Sequence, residues 1–519
     1  MTSRGKQIAQ AAGLIMAAYV ASRGLGLVRE MVIATQFGTS VELGAYLAAF
    51  RIPDLIFQLV AGGALGSSFI PVFSVYLARR ETKDAWRLAS AIYNLVGLIT
   101  AASALLAFVL TPQLTTLLVP GFTPEMQALT GRLMRMMLLT PIIFGLSGIS
   151  MAILNAYQHF LLPAFAPVLY NLAIIGGALF LTRFWGIDGL AVGVVIGAIL
   201  HFLVQLPGLR RRGWSYSPIL SLRLAGVREV ISLLLPRVLG LAVMQINFLV
   251  NMVLASGLSE DSLSALNYAF MLMMLPQGVF AMAIATAAFP SFSDLVARQQ
   301  LDKLRETLAE TLRAALFLTI PASVGLLILR FPLIQVLLER GEFTSASTKS
   351  VAWALQFYAL GLPAYAAVEI VSRAFYALHD TRTPVGVGAA TVALNIILSL
   401  LLIRPLGHGG LALANALAVN IEMVSLFWFL RRRLGGLAEE HLIASMRQII
   451  PAALLMGLGL AIVLWLGQGR SSWLLTGVGI IVGGGIYAAA SWALGATEMH
   501  TIGDWVWQRI TARNKRTAG

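Results

Sequence analysis

The chain has 519 residues, 58% of them apolar and only 12% charged, with no cysteine and a formal net charge of +14. Soluble domains carry about 25% charged residues, and disorder needs the opposite composition, so both classes are excluded. The missing thiol also removes disulfide scaffolds, thiolate catalysis, Cys-ligated zinc and iron–sulfur centres.

The composition is that of a polytopic membrane protein, with apolar residues enough for roughly 15 spans of about 20 residues each. In chain order, fourteen stretches are long enough to cross: 8–36, 43–66, 86–111, 133–154, 164–183, 187–207, 230–254, 263–288, 311–330, 351–377, 384–403, 409–430, 446–467 and 472–495. The first opens like a signal peptide, with Arg4 and Lys6 ahead of an apolar run from Ile8 to Val20. That run continues past Arg23 and Arg29 to Phe37, so it is expected to be a retained first helix.

Lys and Arg gather in alternate loops, among them Arg79 and Arg80, Arg210 to Arg212, Arg298, Arg382, Arg431 to Arg433, and the tail from Arg509 to Arg516. The opposite side offers chiefly Arg183, Arg330, Arg340, Arg404 and Arg470. This bias puts the basic side and both termini in the cytoplasm. Most of the net charge is then topology rather than a nucleic-acid surface.

An internal repeat organises the spans. Pro71, Phe73, Ser74 and Arg79 match Pro290, Phe292, Ser293 and Arg298, each pair 219 residues apart. Gly189-Leu190-Ala191 matches Gly410-Leu411-Ala412, and Leu209 to Arg212 matches Leu430 to Arg433, each 221 apart. The expected fold is therefore all-α and polytopic, with 14 transmembrane helices in two parallel six-helix repeats and a two-helix C-terminal tail. Its parts are an N-terminal lobe at 1–213, a cytoplasmic linker at 214–226, a C-terminal lobe at 227–434, helices 13 and 14 within 435–497, and a basic cytoplasmic tail at 498–519. Parallel repeats related by an axis along the membrane normal are a transporter architecture, with substrate held between the halves and access alternating.

Ionisable groups inside spans are costly and mark pathways or binding sites. The first helix carries Arg23 and Arg29, followed by Glu30; the second carries Arg51 and Asp54 three apart around Pro53. Arg237 follows Pro236 in the seventh, Glu369 and Arg373 lie four apart in the tenth, and Glu422 lies in the twelfth. Arginine's fixed fork suits phosphate, so Arg23, Arg29 and Arg51 define a candidate cavity for an anionic headgroup. The competing reading has each arginine snorkel to an interface or neutralise its neighbouring acid. Gly62/Gly66 and Gly479/Gly483 have the spacing of close helix packing. No Walker A sequence, HExxH or GxSxG is present, so neither an ATP site, a metal nor another cofactor is expected, and an ion gradient or the membrane potential is left as the energy source.

Several motifs are similar to those of the MurJ/MviN lipid II flippases: Ser22 to Glu30 with Phe37-Gly38, Ala48 to Leu55 with Gly62 to Phe73, Pro163 to Asn171, and Arg373 to Val385. The resemblance covers essentially the whole chain. It implies the multidrug/oligosaccharidyl-lipid/polysaccharide exporter fold and movement of a lipid-linked peptidoglycan precursor from the inner to the outer leaflet of the bacterial cytoplasmic membrane. Arg23, Arg29 and Arg51 match the family's cavity arginines, and the last two helices, 446–495, match its groove for the polyprenyl tail. Glu30, Asp54, Arg237, Glu369 and Arg373 complete the expected substrate-binding set. The chain departs from the family's charge pattern at Phe57, Met271, Met274 and Gly44. The expected partners are lipid II or a related polyprenyl-linked anionic glycolipid, membrane lipids and cell-wall synthesis proteins, with the chain itself a monomer. An exporter of another polyprenyl-linked glycan or amphiphile, or a membrane-embedded transferase, is the alternative.

Overall fold

The structure, a computed structural model, describes residues 21–500, without the side chains of 64, 236, 237, 239–241, 243 and 244. It is helical throughout, with no strand among the described residues. Eleven helices or helix pairs are long and apolar enough to cross a membrane, and a bent pair makes a twelfth. Of the fourteen expected segments, 8–36 takes in residues outside the described ones, and 230–254 lies within a described helix some of whose side chains are not described. The stretch expected as one helix at 351–377 is that bent pair, Ser345–Ala359 and Leu362–Ala377, turned by 45°. Pro363 sits in the first turn of the second piece, where it has no N–H to continue the ladder. The Leu360 and Gly361 amides instead bond three residues back, to Phe357 and Tyr358.

The chain divides into two compact units. Unit 1 takes the described residues up to Ser264 together with Arg340–Thr344. It begins with α1 (21–37), α2 (Val41–Val60) and α3 (Gly63–Ala78). Next come α4 (Thr82–Val109), α5 (Thr111–Leu118), α6 (Pro124–Met137), α7 (Thr140–Ala156) and α8 (Leu161–Gly176). A π-helical turn at Gly177–Leu181 leads to α9 (Thr182–Trp185), α10 (Ile187–Leu203), α11 (Leu206–Arg211) and α12 (Ala225–Ser256). Ser40 caps α2 by accepting from the Leu43 amide at 3.3 Å, and Thr123 caps α6 just before Pro124. Phe69 and Phe73 of α3, Trp86 and Ile92 of α4, and Ile149 and Ile153 of α7 form the core, joined by Val227 and Val230 of α12. Thus α12, which the repeat assigns to the start of the second half, lies in unit 1.

Close backbone approach shapes unit 1 in two places. A Cβ added to Gly193 would lie 3.0 Å from the Gly177 Cα, and one on Gly189 would lie 2.5 Å from the Leu181 carbonyl carbon. Only glycine lets α10 run this close to α8 and its π turn. The loop at 340–344 docks on the end of α1, where the Glu342 amide donates to the Thr35 carbonyl at 3.0 Å. There Gly341 has φ +56°, and a Cβ on it would strike the Thr35 oxygen. A similar contact joins Gly121 to the end of α12: its amide donates to Ser256 Oγ at 3.3 Å.

Unit 2 takes Ala265–Glu339 and the described residues from Ser345 on. Its helices are α13 (Ser262–Pro276, from Ala265 onward), α14 (Met282–Ala297), α15 (Leu301–Leu337), α16 (Ser345–Ala359) and α17 (Leu362–Ala377). They continue with α18 (Arg382–Leu406), α19 (His408–Leu434), α20 (Glu439–Leu466) and α21 (Ser472–Ala493). The 37-residue α15 is the spine, packed by α14, α16, α17, α20 and α21. Tyr487 of α21 donates to the Phe317 carbonyl at 2.7 Å, and Arg313 of α15 meets Glu498 at 2.8 Å. The last two helices are thereby fixed to this unit by a buried hydroxyl and a mostly buried ion pair.

At the turn between α17 and α18, Asp380 accepts from the Thr383 amide and hydroxyl and pairs with Arg433. Burial alone would raise its carboxyl, but these donors overcome that and hold it below the usual carboxylate range. A depressed value stabilises the fold above the unfolded value of about 4, and that contribution is lost as pH falls through the folded value. Asp380→Asn should therefore lower the melting temperature of the detergent-solubilised protein at pH 7, and by clearly less near pH 3. Gly193→Val should cost about 1–3 kcal/mol through overpacking, seen as a lower melting temperature. Gly176→Ala, where a Cβ meets nothing within 4 Å, should leave it unchanged or higher.

Candidate functional site in unit 1

Three helix features of unit 1 converge on one cavity. Pro53 interrupts the ladder of α2, the chain breaks at Ala61–Gly62, and α3 restarts at Gly63. Opposite them stand α7, α8 and α10. Between lies a cavity of about 440 Å³ lined by Arg29, Asp54, Phe57, Asn155, Tyr170 and His201, among others. Gly63 and Gly66 form part of its wall, and a Cβ on either would meet nothing within 4 Å. Gly66, expected from its spacing to bring helices together, therefore faces open space. Gly479 and Gly483 do pack closely, each against a leucine.

Arg29 is held on two sides. Its Nε and Nη2 donate to Glu30 Oε1 at 3.1 and 2.5 Å, and Nη1 donates to Asn171 Oδ1 at 3.1 Å. Asn171 is in turn fixed by donating to the carbonyls of Ser22 on α1 and Pro167 on α8. A guanidinium has five N–H groups, so two remain for a ligand. Side-chain exposures of 27% for Arg29 and 16% for Glu30 keep the pair largely out of solvent.

Arg51 is held by the neighbouring α12. It donates to Gln245 Oε1 at 3.2 Å, lies 4.4 Å from the centre of the Phe248 ring, and approaches Asp54 at 4.0 Å. Arg29 and Asp54 thus line the cavity, while Glu30 and Arg51 back them from outside it. Arg29 and Arg51 each come with a carboxylate from their own helix. The local charge is close to balanced.

The remaining expected residues fall elsewhere. Arg23 is exposed and has no ion pair among the described residues. The Arg237 side chain lies outside the described residues. Glu369 and Arg373 are in unit 2, paired at 2.8 Å, and Arg373 also donates to Thr286 at 2.9 Å. Arg132 is at the surface with Asp188 at 3.1 Å. Residues that spacing did not single out are Asn171, Gln245, Asn155, Tyr170 and His201. The first two sit 142 and 194 positions from the arginines they hold, beyond any local pattern.

His201 is held in the wall through its Nδ1 edge. Ser147 Oγ lies 2.7 Å from its Nδ1, Gln205 donates to the same hydroxyl at 2.7 Å, and the Phe144 ring meets it edge-on at 5.2 Å. The ring orientation is thus set by packing and hydrogen bonds together. Replacing Asn171 by Leu strips one acceptor from Arg29 and one donor from the Ser22 and Pro167 carbonyls. The expected cost is about 1–3 kcal/mol, read as a lower melting temperature, while Asn171→Asp should recover the Arg29 contact but not the bridge to the carbonyls.

Comparison with known proteins places the chain. The family model described as lipid II flippase MurJ matches residues 33–478. The lipid II flippase MurJ of Burkholderia cenocepacia is 30% identical over 420 residues, 79% of this chain and 81% of that one. A probable lipid II flippase MurJ from Bdellovibrio bacteriovorus is 32% identical over 446 residues, 84% of this chain and 85% of that one. Among solved structures, a lipid II flippase MurJ in an inward closed conformation superposes with a TM-score of 0.80 at 27% identity, covering 92% of this chain and 98% of that chain. An inward-facing MATE-family multidrug resistance transporter superposes at 0.68 and 16% identity, covering 79% and 96% of the two chains, a likeness of fold alone. By family model, relatives and fold, the chain belongs to the MurJ lipid II flippase family.

Proposed function

We propose that this chain is a flippase that carries lipid II from the inner to the outer leaflet of the bacterial inner membrane by alternating access. The observation that carries the reading is the family match over 33–478, which takes in every lining residue of the cavity except Arg29. Arg29 and Arg51, oriented by Glu30, Asn171, Gln245 and Phe248, supply the guanidinium groups for a pyrophosphate. The polyprenyl tail stays in the bilayer along α20 and α21, whose exposed Leu454, Leu458, Ile462, Ile480 and Ile481 suit an apolar chain. Energy comes from an ion gradient or the membrane potential.

The reading includes 14 spans, two six-helix repeats and cytoplasmic termini. Backbone detail supports the repeat at the offset seen in sequence. Arg80 and Gln299 share a left-handed φ, as do Gln158 and His379, with values of 57 to 60°. Gly186 and Gly407 share φ, ψ near +55°, −137°, at 54°, −138° and 57°, −135°. A Cβ on Gly189 collides with Leu181 and one on Gly410 collides with Leu402. Those positions are again 221 apart. Pairwise recurrence of strained turns and crowded glycines is hard to produce without a common ancestral half.

Expressed in bacteria depleted of their own lipid II flippase, the native chain should restore growth and cell shape. Arg29→Ala and Arg51→Ala should fail at equal membrane abundance, and Arg132→Ala should succeed. Failure of the native chain despite good expression would remove lipid II as the substrate.

A further inference from the structure

Beyond its arginine, the unit 1 cavity has a second chemistry. Phe57, Phe144 and Tyr170 form a continuous aromatic wall, with ring centres 5.4 Å apart for the first pair and 5.2 Å for the second. The Asn155 amide and the Tyr170 hydroxyl reach this wall, and neither makes a hydrogen bond among the described residues. Two N–H groups of Arg29 are also unused. Asp54 adds an acceptor, with Arg51 4.0 Å away.

The class of ligand follows from what this lining accepts. Arg29 gives the cavity donors and Asp54 gives it an acceptor, so the lining suits a group that both donates and accepts. A purely apolar molecule would leave the Asn155 amide buried without a partner, which is costly. A sugar ring is uncharged, has carbon faces that stack on aromatic rings, and carries edge hydroxyls that both donate and accept. The volume agrees: about 440 Å³ lies near the lower end of the roughly 300–1,000 Å³ of small-ligand sites. It holds one or two sugar rings, not a whole sugar–peptide headgroup.

We infer that the unit 1 cavity is a saccharide subsite, in which a sugar ring of the lipid-linked headgroup stacks on Phe57, Phe144 and Tyr170 and is hydrogen-bonded by Asn155, Arg29 and Asp54. The inference rests on the flippase reading for the source of the sugar, but not for the chemistry of the site. Phe57 supplies the stacking surface at the α2 side of the cavity.

The test uses the full chain in nanodiscs of zwitterionic and anionic phospholipid, with soluble N,N′-diacetylchitobiose as probe and ligand-observed NMR as readout. The native chain should bind the disaccharide. Asn155→Ala should weaken binding about tenfold, the worth of roughly one hydrogen bond. Gly66→Leu should abolish it by filling the cavity, because the backbone there has room for the side chain and helix propensity improves. Both variants should keep the native melting temperature. No disaccharide binding by the native chain, or unchanged binding in folded Gly66→Leu, overturns the subsite. Disaccharide binding without rescue of flippase-depleted cells leaves the subsite standing and removes the lipid II reading instead.

Discussion

A guanidinium in an apolar helix has to bring its own solvation. Every described in-span arginine near the cavity obeys this constraint, and the architecture of unit 1 follows from it. Arg29 takes Glu30 from its own helix and Asn171 from α8. Arg51 takes Asp54 from its own helix, with Gln245 and Phe248 from α12. Removing a charge from water costs several kcal/mol unless it is paired, so these contacts both tie the helices together and set where each charge points. What the cavity presents is the oriented fork of Arg29 beside Asp54, its bare charge largely cancelled, with Arg51 behind.

That cancellation separates two jobs usually assigned to one cationic cavity. Long-range attraction of an anion needs net charge, and a paired site has little of it. Short-range recognition needs donors in fixed directions, and a paired arginine still offers them. In the proposed function the site selects a headgroup once it has entered, and the apolar outer faces of α20 and α21 take the part of the molecule that never leaves lipid.

Much of this was legible in the sequence, and the rest was hidden for identifiable reasons. Span positions follow from apolar runs of fixed length, and the pairs Arg51/Asp54 and Glu369/Arg373 follow from helical spacing, whereas Arg29 and Glu30 are simply neighbours in the chain. Asn171 and Gln245 could not be found that way, because their partners come from helices far along the chain. Pro363 was visible, yet one proline does not say whether a helix bends or stops; the answer lay in the three-residue hydrogen bonds at Leu360 and Gly361. The spacing of Gly62 and Gly66 pointed to packing, whereas Gly66 borders a cavity. Spacing records which residues share a face and is silent about what that face meets.

The junctions at Gly341 and Gly121 have a further consequence. In one, a main-chain amide meets a main-chain carbonyl; in the other, it meets a serine hydroxyl. Such bonds involve no ionisable group, so their strength is indifferent to ionic strength and to proton concentration over the whole physiological range. The arginine-rich loops elsewhere on the chain respond to both. An organism whose surroundings swing in salinity or acidity would find the charged surface of this protein retuned, while these two seams kept the same hold.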